Sequence, residues 1–351
     1  MLPYWILFSI PAFAMLAPSM LRPQSQRVVL WFVGGVFALA IGLRFQVGGD
    51  WGAYLRHFDK SAFLSFSDVF QGGDPGYYLV NWLVWNLDGN IYWVNLICGA
   101  VMMFGVIRFS LRQPLPWLAI LVAVPYLLVV VAMGYTRQAT ALGFMLLGLV
   151  ALGDKSLRWF LIWVLVGAAF HKSAVLMIPV AALASGGNRL WTAFWVSLMA
   201  LLGGYLFLFD SVDALWENYV EADYQSSGGL IRVLMNLVPA LLFILFNKRM
   251  QLTSAEQRLW WWISVLCLVC IPLVVLSSTA TDRVALYLIP VQLFVFSRLH
   301  QITDDAFWRS MIVLGVVCYY GLVQFVWLNY AVHAHYWLPY QLIWLVDQPV
   351  Y

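Results

Sequence analysis

Arg44, Arg137, Lys172, Arg232 and Arg283 each stand at the end of an apolar run, with Asp50, His171 and Asp282 near them in the chain. A guanidinium is a planar fork that matches phosphate bidentately and stays charged at every relevant pH. Several such groups at one level suit a lipid phosphate or a pyrophosphate. A carboxylate or imidazole in the same layer can take a proton from a hydroxyl. The competing use of these charges is structural: Asp50 pairing with Arg44, or Asp282 with a neighbouring Arg.

The elements that must hold them follow from composition. Of 351 residues, 63% are hydrophobic and only 10% charged, against about 25% charged in a soluble domain. So few charges cannot keep that much apolar surface in water. This excludes an ordinary soluble enzyme, a disordered chain and a secreted disulfide scaffold, and a net charge of +3 gives no sign of nucleic-acid binding. The chain reads as all-α, a single polytopic integral membrane domain over 1–351. A crossing takes about 20 apolar residues. The apolar runs are 3–21, 28–43, 91–107, 115–134, 138–153, 157–170, 173–187, 190–209, 230–247, 259–277, 284–298 and 310–328, which predicts about 12 transmembrane helices. The run 76–87 is half a span and reads as re-entrant or interfacial. Cys98, Cys267, Cys270 and Cys318 all fall in apolar runs and read as membrane-buried thiols, the Cys267/Cys270 pair included. The N-terminus lacks a basic leader and reads as an uncleaved first helix.

With the N-terminus outside, twelve of the nineteen basic residues fall in cytoplasmic loops, as the positive-inside rule requires. The other seven are Arg44, Arg56, Lys60, Arg137, Lys172, Arg232 and Arg283. Topology gives no reason for these, and five of them lie at helix ends. Arg137 joins two runs, His171 and Lys172 form the tip of a hairpin of short helices, and Arg283 sits at another outer turn. The bland reading of the hairpin tip is a snorkelling Lys beside a neutral interfacial His.

The outer loop 44–75 contains an amphipathic helix. Asp50 is its N-cap, and Trp51, Tyr54, Leu55 and Phe58 form one apolar face. Asp74-Pro75 then starts a second helix, with Asp74 as cap and Pro75 in the first turn. The loop 210–229 is acidic and helical in pattern, and reads as a solvated helix or as a lid over a groove. Its Glu221-x-Asp223 is a weak metal signal. The outer tail 329–351 carries His333, His335, Tyr336, Trp337, Tyr340 and Trp344, read as interfacial aromatic anchors. Transport would call for mid-bilayer charges and inverted repeats. The charges here gather at one face, which favours catalysis or lipid binding there. A lipid-linked glycan flippase, or an outer-face transferase adding one sugar or acyl group, are the alternatives.

In order, Arg44-x5-Asp50-x3-Tyr54-x3-Phe58, Asp74-Pro75-Gly76-Tyr77, Arg137-Gln138-x-Thr140-Ala141, His171-x-Ser173-Ala174 and Arg283-x3-Tyr287 span residues 40–290. This series resembles the EpsG-like branch of the Wzy-type polysaccharide polymerases. That branch usually has Glu-Pro-Gly-Phe where this chain has Asp-Pro-Gly-Tyr. The resemblance implies a GT-C-like architecture in a bacterial inner membrane, with the active site facing the periplasm. It implies a glycosyltransferase that joins oligosaccharide repeat units carried on undecaprenyl pyrophosphate, with no cofactor, nucleotide sugar or metal. Its partners would be that donor and acceptor, membrane lipids, and flippase and chain-length regulator proteins. The expected pyrophosphate and substrate ligands are Arg44, Arg137, Arg232 and Arg283, with Lys172, Gln138, Tyr54 and Tyr77. Asp50 is the preferred base, and His171 the other candidate. Trp51, Tyr54 and Tyr77 would stack on sugar rings or anchor at the interface.

Overall fold

The computed structural model describes residues 1–16, 23–71, 73–184, 189–207 and 228–346. Among these the secondary structure is helical, apart from one isolated bridge between Arg44 and Leu342. Among the described residues six helices are long and apolar enough to cross a membrane, or seven if one bent pair counts as a span, so the chain is a multi-pass membrane protein. Each of the twelve apolar runs contains a helix among the described residues, but several of these helices are too short to cross alone. The acidic stretch 210–227, with Glu221 and Asp223, lies outside the described residues.

The chain divides into two compact units, residues 1–143 with 314–351, and residues 144–313. The first contains α1 (Leu2–Leu16), α2 (Pro23–Gly42), α3 (Trp51–Lys60), α4 (Pro75–Asn86), α5 (Ile91–Ser110) and α6 (Pro116–Ala123). α6 runs on into π-helical turns, Val124–Ala132, and α7 (Thr136–Gly153) begins in this unit. In lipid, apolar surface gives helices little reason to associate, so close packing must do it. Gly105 on α5 and Gly143 on α7 supply that: a Cβ at Gly105 would stand 2.2 Å from the Gly143 carbonyl oxygen. Any side chain at either position would push the helices apart.

α3 is the short amphipathic helix predicted from the sequence, and α4 the second helix predicted to start at Asp74-Pro75. Tyr54 and Phe58 are buried, while Arg56, Asp59 and Lys60 are exposed. The last helix of the chain (Ala306–Tyr330) is followed by a segment that straps the unit together. Phe45 N–H donates to the Gln341 carbonyl (2.9 Å), Ile343 N–H to that of Leu43 (3.0 Å), and the Tyr340 hydroxyl to that of Ala40 (2.7 Å). Trp337 donates its indole N–H to the Val129 carbonyl in the π-helical turns (2.9 Å) and is buried. The tail therefore departs from its reading as interfacial anchors. Trp337 and Tyr340 are internal fasteners, and Trp344 alone of the Trp pair is exposed. A period-based reading cannot see this, because the partners lie about two to three hundred residues away. His335 is occupied locally, its Nδ1 2.9 Å from the Val332 carbonyl and its ring 4.0 Å from Tyr336.

The second unit contains α8 (Leu157–Phe170), a 3-10 segment Lys172–Met177, α9 (Ile178–Ala184), α10 (Arg189–Phe207), α11 (Gly229–Phe246), α12 (Ser254–Leu276), α13 (Ser278–Leu288) and α14 (Pro290–Phe296). Its core stacks Trp260 on Phe294 at 4.1 Å. The bent pair α13/α14 breaks at Ile289-Pro290, where proline can donate no backbone hydrogen bond. Ile289 N–H goes to the Leu286 carbonyl, and Asn236 Nδ2 from α11 takes the Ala285 carbonyl (2.7 Å). Gln292 in turn donates to Asn236 Oδ1 (2.7 Å). A buried polar clamp thus satisfies the backbone that the break leaves open. α13 starts at Ser278, before the apolar run, so Arg283 sits inside a helix and not at a turn. Ser278, Thr279 and Thr281 lower hydropathy without stopping a helix.

Candidate active site

In the first unit two distant stretches of chain are held together by Arg44. It is fully buried just past α2. Nη1 donates to the Ile41 carbonyl, Nε to the Val47 carbonyl (3.3 Å) and Nη2 to Thr136 Oγ1 at the start of α7 (2.8 Å). Trp51 lies under its guanidinium, 5.9 Å from ring centroid to Cζ. Beside it Gly48 adopts φ +104, with its N–H on the Tyr336 carbonyl (2.9 Å). A Cβ there would stand 2.5 Å from the Met133 oxygen, so glycine is required on both counts.

The next residue of α7 is Arg137. Its Nη1 meets Asp74 Oδ2 at 2.7 Å, and the guanidinium lies 6.0 Å over the Tyr77 ring. The Arg137 side chain is 33% exposed and that of Asp74 is 9%, so this cation is reachable where Arg44 is not. Asp74 occupies the N-cap position of α4, but its side chain makes no cap bond. The cap reading is corrected: the carboxylate serves Arg137. Their pairing spans 63 positions, which spacing rules do not reach.

Tyr54 and Tyr77 stand edge to face at 5.8 Å, are buried and wall Arg137. Burial pushes the Tyr54 hydroxyl up to about 12, and the Asp50 charge acts in the same direction. Asp50 itself is exposed at the N-terminus of α3. Gln138 follows Arg137 and is buried. Sequence reasoning passed over His57. It packs edge-on to Tyr77 (6.3 Å) and Tyr78 (5.5 Å). Burial first, then Arg137, Lys60 and Arg56, hold its imidazole below the ordinary range, so it is neutral near pH 7. Its position three residues after Tyr54 on α3 was the available signal.

In the second unit the helix breaks at His171, between the two short runs, as the sequence predicts. His171 caps α8 in extended conformation, φ −155, with its N–H on the Gly167 carbonyl (3.0 Å). Its carbonyl starts the 3-10 turn by accepting from Ala174 N–H (3.0 Å). His171 Nδ1 is 2.6 Å from Ser173 Oγ, and Ser173 Oγ donates to the Tyr287 hydroxyl on α13 (3.3 Å). All three residues are buried, while Lys172 between them is half-buried. Four residues before Tyr287 on the same helix is Arg283, also half-buried. Arg232, near the start of α11, forms an ion pair with Asp282 at 2.5 Å, both nearly buried. The structural pairing weighed for Asp282 is therefore present.

The expected site residues thus fall in two groups, Arg44, Asp50, Tyr54, Tyr77, Arg137 and Gln138 in one unit, and His171, Lys172, Arg232 and Arg283 in the other. Each group couples arginines to groups able to accept protons or anions, a composition suited to handling a charged phosphate substrate. Among family models, that of the EpsG family matches residues 27–342. No curated protein matches the chain. No solved structure matches it either.

Proposed function

We propose a function from one established fact: the chain belongs to the EpsG family. The match spans nearly the whole chain and suggests a polysaccharide polymerase of the membrane, with glycosyltransferase-like chemistry. The finer reading is a polymerase that joins oligosaccharide repeat units carried on undecaprenyl pyrophosphate, at the periplasmic face of a bacterial inner membrane. The observation that carries it is Arg137, a partly exposed guanidinium held in place by Asp74 and Tyr77 in a chain that has few charges to spend.

In the proposed step an acceptor sugar hydroxyl attacks the anomeric carbon of the donor. The bond from that carbon to the pyrophosphate oxygen breaks, and the lipid pyrophosphate leaves with the electron pair. Negative charge grows on the leaving oxygens, where a fixed guanidinium stabilises it more than in the ground state. Arg137 is the cation offered for that charge in the first unit, and Arg283 and Lys172 are those offered in the second, where Arg232 is held in its pair with Asp282. Arg44 spends its donors on the chain itself, so its part is to fix Thr136 and hence the start of α7 before Arg137. Asp50 and His171 are the groups that can take the hydroxyl proton.

Product mass from purified protein and lipid-linked repeat units tests this. Polymerisation gives a ladder of whole repeat units. A single added sugar or acyl group, or movement of substrate between leaflets without new bonds, would replace the reading with one of the alternatives.

A further inference from the structure

We infer that Ser173 and Tyr287 fix the tautomer of His171, making its Nε2 the base that takes the acceptor proton. This rests on the polymerase reading above. A serine hydroxyl has one hydrogen and two lone pairs. Ser173 gives its hydrogen to Tyr287 (3.3 Å), so it meets the imidazole with a lone pair. The 2.6 Å contact then requires the hydrogen on Nδ1 of His171. A neutral imidazole with Nδ1–H carries its basic lone pair on Nε2.

Three consequences follow from this arrangement. The first concerns Ser173, which is excluded as a nucleophile activated by His171, because that would need the lone pair on Nδ1. The second concerns cost: when Nε2 takes the proton, Nδ1–H still donates to Ser173, and the bond strengthens as the ring becomes cationic. The partner needs no reorganisation at the moment of reaction. The third concerns the choice of base. Asp50 is an exposed carboxylate at a helix start, whereas His171 is buried and oriented by a two-residue chain anchored on another helix. The proton balance is closed: the acceptor O–H loses its proton to Nε2, its oxygen bonds to the anomeric carbon, and the pyrophosphate leaves. Ser173 and Tyr287 are positioning residues, and His171 is the catalytic one.

The test uses the full-length protein with 15N-labelled histidine, and lipid-linked repeat units extracted from cells lacking the gene. Imidazole 15N shifts, assigned by difference with His171→Gln, should show Nδ1–H and a bare Nε2. Ser173→Ala should lose that single signature, and Ser173→Thr, which keeps the hydroxyl, should restore it. Polymerisation kcat should fall at least about 10-fold in Ser173→Ala and Tyr287→Phe, with KM within about twofold, and recover in Ser173→Thr. An Nε2–H tautomer in the unchanged protein, or full kcat in Ser173→Ala and Tyr287→Phe, overturns the inference. The tautomer present in a protein that makes no glycosidic bond would instead overturn the polymerase reading, and the base with it, while leaving the hydrogen-bond assignment standing.

Discussion

Arg44 in the first unit and Arg232 in the second are both buried cations, held in opposite ways. Arg44 spends its donors on two backbone carbonyls and a threonine. Arg232 meets a carboxylate on a neighbouring helix. The difference teaches where replaceable parts lie. A side-chain partner can be substituted together with the cation, whereas a backbone carbonyl cannot.

The comparison predicts its own failures. Arg232→Met removes the guanidinium that the buried Asp282 carboxylate meets, and should lower stability by about 3–5 kcal/mol. Adding Asp282→Leu should return most of that loss, read as the unfolding midpoint in detergent. Arg44→Met orphans the carbonyls of Ile41 and Val47 and should cost about 2–4 kcal/mol. No second substitution at Thr136 should restore it. Rescue of Arg44→Met by Thr136→Val, or failure of the Arg232/Asp282 double variant to recover, would erase the distinction. A smaller effect belongs to the strap: Trp337→Phe removes the indole N–H on Val129 together with part of a buried ring, and should cost about 1–2 kcal/mol in the same measurement.

The two regions also differ in how far the sequence revealed them. The break at His171 follows from two apolar runs too short to cross, separated by a basic pair, and α8 ends there. α3 and α4 start where the sequence places them, at Asp50 and at Asp74-Pro75, although neither carboxylate makes a cap bond. Local signals set these features, so local reading finds them. The Asp74–Arg137 pair, the Arg44–Thr136 bond and the Trp337 strap join positions far apart in the chain, which hydropathy and spacing do not encode. Apolar runs report helices, not crossings, so among the described residues the twelve runs yield six helices long enough by themselves. Ser173 was visible only as part of a short motif, and the role proposed for it comes from the side-chain geometry at Tyr287.

The most direct test of the account concerns Arg137 and Arg283. Each should be replaced by alanine in cells lacking the native gene, at matched protein level, and the polysaccharide length distribution read on a gel. The account predicts that long polymer disappears in both variants, while single lipid-linked repeat units accumulate. An unchanged length distribution in both would contradict the claim that these arginines act on the pyrophosphate.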